Sequence, residues 1–307
     1  MSKIAFVFPG QGAQYTGMGR DFYEKFDRAK EVFAIASKVS GMSMEELIFQ
    51  ENEKLDITRY TQVAMLAVEL AVLKVLREQG IDSEVNAGLS LGEYAALVAS
   101  GGLSVHDALE LVVKRGAFMQ DAVPTGGAMT AIMGLGNDTI EAICDKTEGI
   151  VTVANYNCPG QTVISGEEAA VQKAAESMKA AGAKRCIPLK VSGPFHSSML
   201  EGAGEKLAKE LEHVEVGEIL TPYVSNVTAD YVQDKEAVKD LLKRQVSSSV
   251  RWQQSVERMV ADGVDIFIEI GPKRTLSGFL KKIAPELTSL HVENVEDMEK
   301  VVEALKA

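Results

Sequence analysis

Along the chain, short unbroken apolar runs alternate with longer stretches in which apolar residues return every three or four positions. Ile4-Ala-Phe-Val-Phe8 is such a run, closed by Pro9-Gly10, and it predicts a buried strand. Val63, Leu66, Leu70, Leu73 and Leu76, with Val68 and Val72 beside them, predict a buried helix over 61–78 that Gly80 ends. Val85, Ala87 and Leu89 alternate toward Ser90, and a helix from Leu91 to Ala99 then stops at Gly101-Gly102. Strands interleaved with helices indicate α/β architecture.

After Pro124-Thr-Gly-Gly127 the texture changes. Strands are predicted over 128–135, 150–155, 161–165 and 184–191, with helices over 137–147 and 167–181. That βαββαβ order is the ferredoxin-like motif, which can close a small sheet of its own. Residues 125–191 are therefore expected to form an inserted subdomain, with 1–124 and 192–307 making one discontinuous parent domain. The parent is expected to carry further helices over 105–121, 198–212, 235–245, 252–262 and 275–283, and strands over 220–226 and 265–270.

Composition narrows the classes of function. The 307 residues are 46% hydrophobic and 25% charged, as in ordinary globular proteins. A net charge of −12 argues against a nucleic-acid face and against an anionic membrane surface. No apolar run approaches the ~20 residues that span a bilayer. Met1-Ser-Lys3 and the strand after it are too short for a signal-peptide core and lack a cleavage site, so a cytoplasmic location is expected. Cys144, Cys158 and Cys186 have no metal or redox spacing and suit a reducing compartment as packing residues.

Candidate chemistry starts at Gly88-Leu-Ser90-Leu-Gly92, a G-x-S-x-G pattern. A strand that turns sharply into a helix while presenting a hydroxyl needs side chains removed on either side of the serine. The Leu91 N–H, at that helix's start, is placed to stabilise an oxyanion. The competing explanation is a tight structural turn with an idle serine. Four histidines could serve as its base. His213 lies in a mixed surface segment, His291 in a charge-rich one, and His106 near a helix start where a capping role suffices. His196, in Ser192-Gly-Pro-Phe-His-Ser-Ser198 between a strand and a helix, is the best placed, and only by elimination.

In the helix over 105–121, Asp107, Glu110, Lys114 and Asp121 make a polar stripe, whereas Arg115 falls in line with Ala108, Leu111, Val112, Phe118 and Met119. A guanidinium facing a core is costly unless it meets an anion. That anion is either an internal carboxylate, making a structural ion pair, or a substrate carboxylate held by the guanidinium fork. Gly10-Gln-Gly-Ala-Gln-Tyr15 has tyrosine where a dinucleotide loop needs its third glycine, so nucleotide binding is rejected. The loop can instead bring a backbone N–H against an oxyanion.

Together these segments resemble the malonyl-CoA:acyl carrier protein transacylase family over nearly the whole chain. The resemblance rests on Phe8-Pro-Gly-Gln-Gly-Ala-Gln14, Thr61-Gln62, Gly88-Leu-Ser-Leu-Gly-Glu-Tyr94, Arg115, Asn155-Tyr-Asn-Cys-Pro-Gly-Gln161, Gly193-Pro-Phe-His-Ser-Ser198, Gln245 with Val250-Arg-Trp252, and Glu269-Ile-Gly-Pro272. It implies an α/β-hydrolase-like core with a parallel sheet, the ferredoxin-like insertion, and a site in the cleft between them. It implies Ser90 as nucleophile, His196 as base in a Ser–His dyad, Gln245 orienting His196, and the Gln11 and Leu91 N–H groups as oxyanion hole. Arg115 would bind the malonyl carboxylate, with Asn155 and Phe195 also at the substrate.

No metal or cofactor is implied, coenzyme A entering as the malonyl-CoA thioester. The partner would be acyl carrier protein, docked near Lys273, Arg274, Lys281 and Lys282, with Lys190 and Arg251 as further candidates; for each cation a solvated helix face is the plainer explanation. A monomer feeding fatty-acid elongation is expected. Leu89 stands where many members have histidine, and Val63 where proline is common. The first bears on rate or hydrolytic leak rather than on the reaction type. The rival is a serine thioesterase or esterase that passes the acyl group to water; acids between Ser90 and His196 are plentiful enough to supply its triad.

Overall fold

The apolar run at the amino terminus forms β1 (Ile4–Phe8), which lies inside a six-stranded sheet in the computed structural model describing residues 2–306. The other strands of the chain are β2 (Val85–Gly88), β3 (Gly127–Met133), β4 (Val151–Cys158), β5 (Gln161–Glu167), β6 (Arg185–Pro188), β7 (Tyr223–Val224), β8 (Tyr231–Val232), β9 (Ile266–Ile270) and β10 (Thr288–Val292). The large sheet has the order β10-β9-β1-β2-β7-β8. Its pairings are parallel apart from the β7–β8 edge.

Helices cover both faces, which is why β1 reads as an uninterrupted apolar run. Alternate β1 residues serve the two layers. Phe6 and Phe8 join the core with helices Asp27–Ser40, Thr58–Glu78 and Val105–Ala122. Ala5 and Val7 join the one with Trp252–Ala261 and Thr275–Ile283. The carboxyl ends of β1, β2 and β9 open on one edge, where α/β sheets bind ligands.

Gly127–Pro188 builds the second sheet, antiparallel and ordered β4-β5-β3-β6. Helices Asn137–Lys146 and Glu168–Ala180 cover one face through Ile132, Ile140, Val153, Ile164, Val171 and Met178. The opposite face presents Met129, Ala131 and Val163 to the cleft above the large sheet. A bridge stitches the two parts together: the Tyr156 N–H donates to the Val250 carbonyl at 2.9 Å and the Val250 N–H to the Ala154 carbonyl at 2.8 Å.

Several elements went unread in the sequence: helices Arg20–Lys25, Asp27–Ser40 and Met44–Phe49, strands β8 and β10, and helix Val295–Lys306. The strand expected over 220–226 pairs only at Tyr223–Val224, because Ser225 and Asn226 leave the ladder to support the site. No helix among the described residues is long and apolar enough to cross a membrane.

Candidate active site

Ser90 sits where β2 turns into helix Gly92–Ala99, with φ at 54° in the left-handed region. L-residues hold that conformation only when their surroundings enforce it. The flanking glycines are steric requirements. A Cβ on Gly88 would lie 1.9 Å from the Gly92 carbonyl carbon, and one on Gly92 would lie 2.2 Å from the Phe8 carbonyl oxygen. Asn226, two residues past β7, clamps the turn: its Oδ1 accepts from the Ser90 N–H at 2.7 Å and its Nδ2 donates to the Gly88 carbonyl at 2.6 Å.

The Ser90 Oγ is 2.8 Å from His196 Nε2. His196 is buried, and its own φ is 59°. Its Nδ1 faces the main-chain carbonyls of Gln245 at 2.9 Å and Ser248 at 3.2 Å. Two carbonyls can only accept, so Nδ1 carries the proton and Nε2 keeps a lone pair toward the serine. No carboxylate pairs with this imidazole among the described residues. Gln245 thus orients the histidine through its backbone.

An exposed histidine titrates near 6.5, and this one does not. Burial, and then the Arg115 charge, lower His196 to about 4. The neutral base form therefore persists well below pH 6. Acylation rates are expected to stay level between about pH 5 and 7 and to fall only nearer the lowered pKa, whereas an unshifted histidine would already halve them near 6.5. Single-turnover acylation of Ser90 across this range distinguishes the two.

Arg115 is 1% exposed, on the dry face of helix Val105–Ala122. Its Nη1 donates to Gln62 Oε1 at 2.7 Å, and its Nη2 donates to Gln245 Oε1 at 2.9 Å and to Ser90 Oγ at 3.1 Å. The guanidinium lies over the Tyr94 ring, 5.5 Å from its centroid. No internal acid forms an ion pair with it among the described residues, and Nε has no partner. The nearest acid, Glu93, reaches it only through Gln245, so the direct ion pair that was the structural alternative is absent among the described residues.

A cavity of about 410 Å³ opens between the two sheets, lined by Ser90, His196, Gln11, Leu91, Asn155 and Phe195 among others. Arg115 lies one layer behind that lining, reaching it through its bond to Ser90 Oγ. The Gln11 and Leu91 N–H groups have no acceptor within the protein among the described residues, and both residues border the cavity. Gln11 is steadied by its side chain, which donates to Thr58 Oγ1 at 2.9 Å. Asn155 and Phe195 are buried in the wall, and the remaining lining is mainly apolar: Leu89, Met119, Met129, Val163 and Phe279. Lys273, Arg274, Lys281 and Lys282 are exposed on and before helix Thr275–Ile283, whose Thr275, Leu276 and Phe279 reach the cavity. Lys190 also borders it. His106, His213 and His291 are far from Ser90 in their contacts; His291 instead lies 2.9 Å from Asp297.

Sequence reasoning passed over Asn226 and Glu93. Glu93 is fully buried beneath the elbow, its Oε2 accepting from Gln245 Nε2 at 2.7 Å. Its place in Gly92-Glu-Tyr94, at a helix's first turn, looks like an ordinary dipole-favoured acid. No local pattern marks Asn226, which acts across 136 positions of chain.

A family model described as an acyl transferase domain matches residues 5–302. A malonyl CoA-acyl carrier protein transacylase of Bacillus subtilis is 45% identical, over 100% of this chain and 98% of the relative. Among solved structures, MCAT from Streptococcus pneumoniae is 48% identical with a TM-score of 0.95, covering 98% of this chain and 100% of that one. A malonyl-transacylase in complex with a type II PKS acyl-carrier protein is 42% identical with a TM-score of 0.96, covering 99% and 100%.

Proposed function

The chain belongs to the acyl transferase family, and from that premise we propose that it moves a malonyl group from coenzyme A to the thiol of an acyl carrier protein through malonyl-Ser90. The observation that carries this reading is one oxygen with two neighbours. Ser90 Oγ lies within hydrogen-bond reach of an imidazole lone pair and of a guanidinium that no carboxylate contacts directly. The first makes a nucleophile, and the second selects a donor with a free carboxylate.

His196 takes the Ser90 proton as Oγ attacks the thioester carbonyl. The negative charge then forming on the carbonyl oxygen is held by the Gln11 and Leu91 N–H groups, each worth about 3–4 kcal/mol by analogy with other oxyanion holes. As the tetrahedral adduct collapses, the proton on Nε2 passes to the departing coenzyme A sulfur, leaving an ester on Ser90. The malonyl carboxylate meets Arg115, replacing the serine hydroxyl as acceptor for Nη2. Carrier thiol then repeats the sequence in reverse, so kinetics are ping-pong.

Transfer to water is the weaker reading. The charge-stabilising acid of a hydrolase triad has main-chain carbonyls in its place, and the cavity wall is largely apolar. The relative bound to a carrier supports an acyl carrier protein as the second substrate. The exposed cations beside the cavity mouth suit an acidic partner. We place the protein in the cytoplasm, consistent with its three unpaired cysteines, and read it as acting as a monomer because a single chain supplies every group named.

Intact-mass measurement tests the whole scheme. Malonyl-CoA alone is expected to give malonyl-Ser90, stable until holo-carrier discharges it. In the same chase, Lys281→Glu with Lys282→Glu slows discharge but not loading. An acylated serine that water clears as fast as carrier does would make the protein a hydrolase.

A further inference from the structure

Behind the carboxylate-binding arginine lies an acid that the reaction scheme does not use. Glu93 is 0% exposed, on the first turn of helix Gly92–Ala99. Its Oε2 accepts from Gln245 Nε2 at 2.7 Å and from the Asn226 N–H at 3.3 Å. Its Oε1 is buried with no hydrogen-bond partner. Gln245 joins acid to base: one end of its amide accepts from Arg115 Nη2, and the other donates to Glu93 and to the Ser90 carbonyl at 2.8 Å. The opposite amide orientation would set NH₂ against a guanidinium and oxygen against two acceptors, so both neighbours enforce the one observed.

A buried cation and a buried anion bridged by one amide leave the empty site close to neutral. A substrate carboxylate arriving at Arg115 adds a second negative charge to the same dry volume, where charges interact strongly. The unpartnered Oε1 offers a place for a proton that breaks no bond of the network. We propose that Glu93 is a positioning residue for Arg115 and its internal counter-charge, taking up a proton from solvent when a malonyl carboxylate occupies the guanidinium. This rests on the reading that Arg115 binds that carboxylate.

The surroundings allow the exchange at ordinary pH. Burial raises Glu93 to about 7, against the lowering effects of Gln245, of Asn226, of the neighbouring Ser225 hydroxyl and, last, of the Arg115 charge. The other titratable groups facing it are Arg115, Tyr94 on its own helix and Tyr223 on β7. Burial pushes Tyr94 up to about 12 and also raises Tyr223 well above its ordinary value, and Arg115 stays a cation. His196, lowered to about 4, is already neutral. Glu93 is thus the group nearby that changes charge between pH 6 and 8.5.

The sign follows. Below the free-enzyme value Glu93 is protonated with or without substrate, and malonyl binding is strongest. Above it, binding requires proton uptake, and affinity falls by up to about tenfold per pH unit. An acetyl donor brings no carboxylate and feels no such slope. The test is single-turnover acylation by malonyl-CoA and acetyl-CoA from pH 6 to 8.5, on wild type, Glu93→Gln and Arg115→Ala. Apparent malonyl-CoA affinity is expected to weaken above pH 7 in wild type and to stay level in Glu93→Gln, whose amide mimics the protonated acid. A slope that survives Glu93→Gln, or that acetyl-CoA shares, overturns the proposal.

Should Glu93→Gln fail to fold, calorimetry of Ser90→Ala with each donor, in buffers of different ionisation enthalpy, reads the same proton directly. Equal uptake for malonyl-CoA and acetyl-CoA overturns the proposal as well. Arg115→Ala separates the two levels: equal loss on both donors defeats the carboxylate reading, whereas a malonyl-selective loss without proton uptake defeats the Glu93 inference alone.

Discussion

Arg115→Ala is expected to lower acylation by malonyl-CoA about 10²–10³-fold relative to acylation by acetyl-CoA. The size comes from losing a desolvated, forked charge pair, about 3–4 kcal/mol at ~1.4 kcal/mol per decade. The guanidinium is 1% exposed, so solvent screens it little. Part of any loss is shared by both donors, because Gln62 and Gln245 each lose a buried donor and Ser90 loses a neighbour. The malonyl-to-acetyl ratio cancels that shared part. Arg115→Lys should recover only a fraction of the preference, since an ammonium keeps the charge without the fork. Rates measured with both donors on the three proteins decide the matter; an unchanged ratio in Arg115→Ala would make the arginine purely structural.

His196→Ala should reduce Ser90 acylation about 10³–10⁴-fold, the range for losing a general base whose partner groups remain. The backbone suspension of the ring sharpens this result. Main-chain carbonyls of Gln245 and Ser248 hold Nδ1, so removing the Gln245 side chain leaves the base oriented and strips an acceptor from Arg115 instead. Gln245→Ala is therefore expected to resemble a weakened Arg115 variant, losing malonyl preference more than acetyl rate. A Gln245→Ala protein that lost both donors as completely as His196→Ala would show that the side chain supports the histidine after all.

Much of this arrangement was legible before any coordinates, and the exceptions share a cause. Ile4–Phe8, the helix around Leu66 and Leu70, and the insertion announce themselves through period and punctuation, which are local. Arg115 was legible for the same reason: helical spacing alone separates it from Lys114, which pairs with Glu110 at 3.1 Å on the wet face. Residues 20–49 were missed because two helices abut at Phe26 without a glycine or proline between them, and a third spans only Met44–Phe49. Asn226 and Glu93 were illegible for a different reason. Their meaning lies in contacts across more than a hundred positions, which no window contains.

Engineers who recombine acyltransferases would find the insertion a poor cassette. The bridge through Val250 fastens β4 to the segment whose Ser248 carbonyl faces the His196 imidazole at 3.2 Å. A chimera spliced at 125 and 191 would import a new β4 against an old 248–250 segment, and the mismatch would fall on proton transfer, nowhere near the splice points. Grafting 246–252 along with the insertion keeps that seam native.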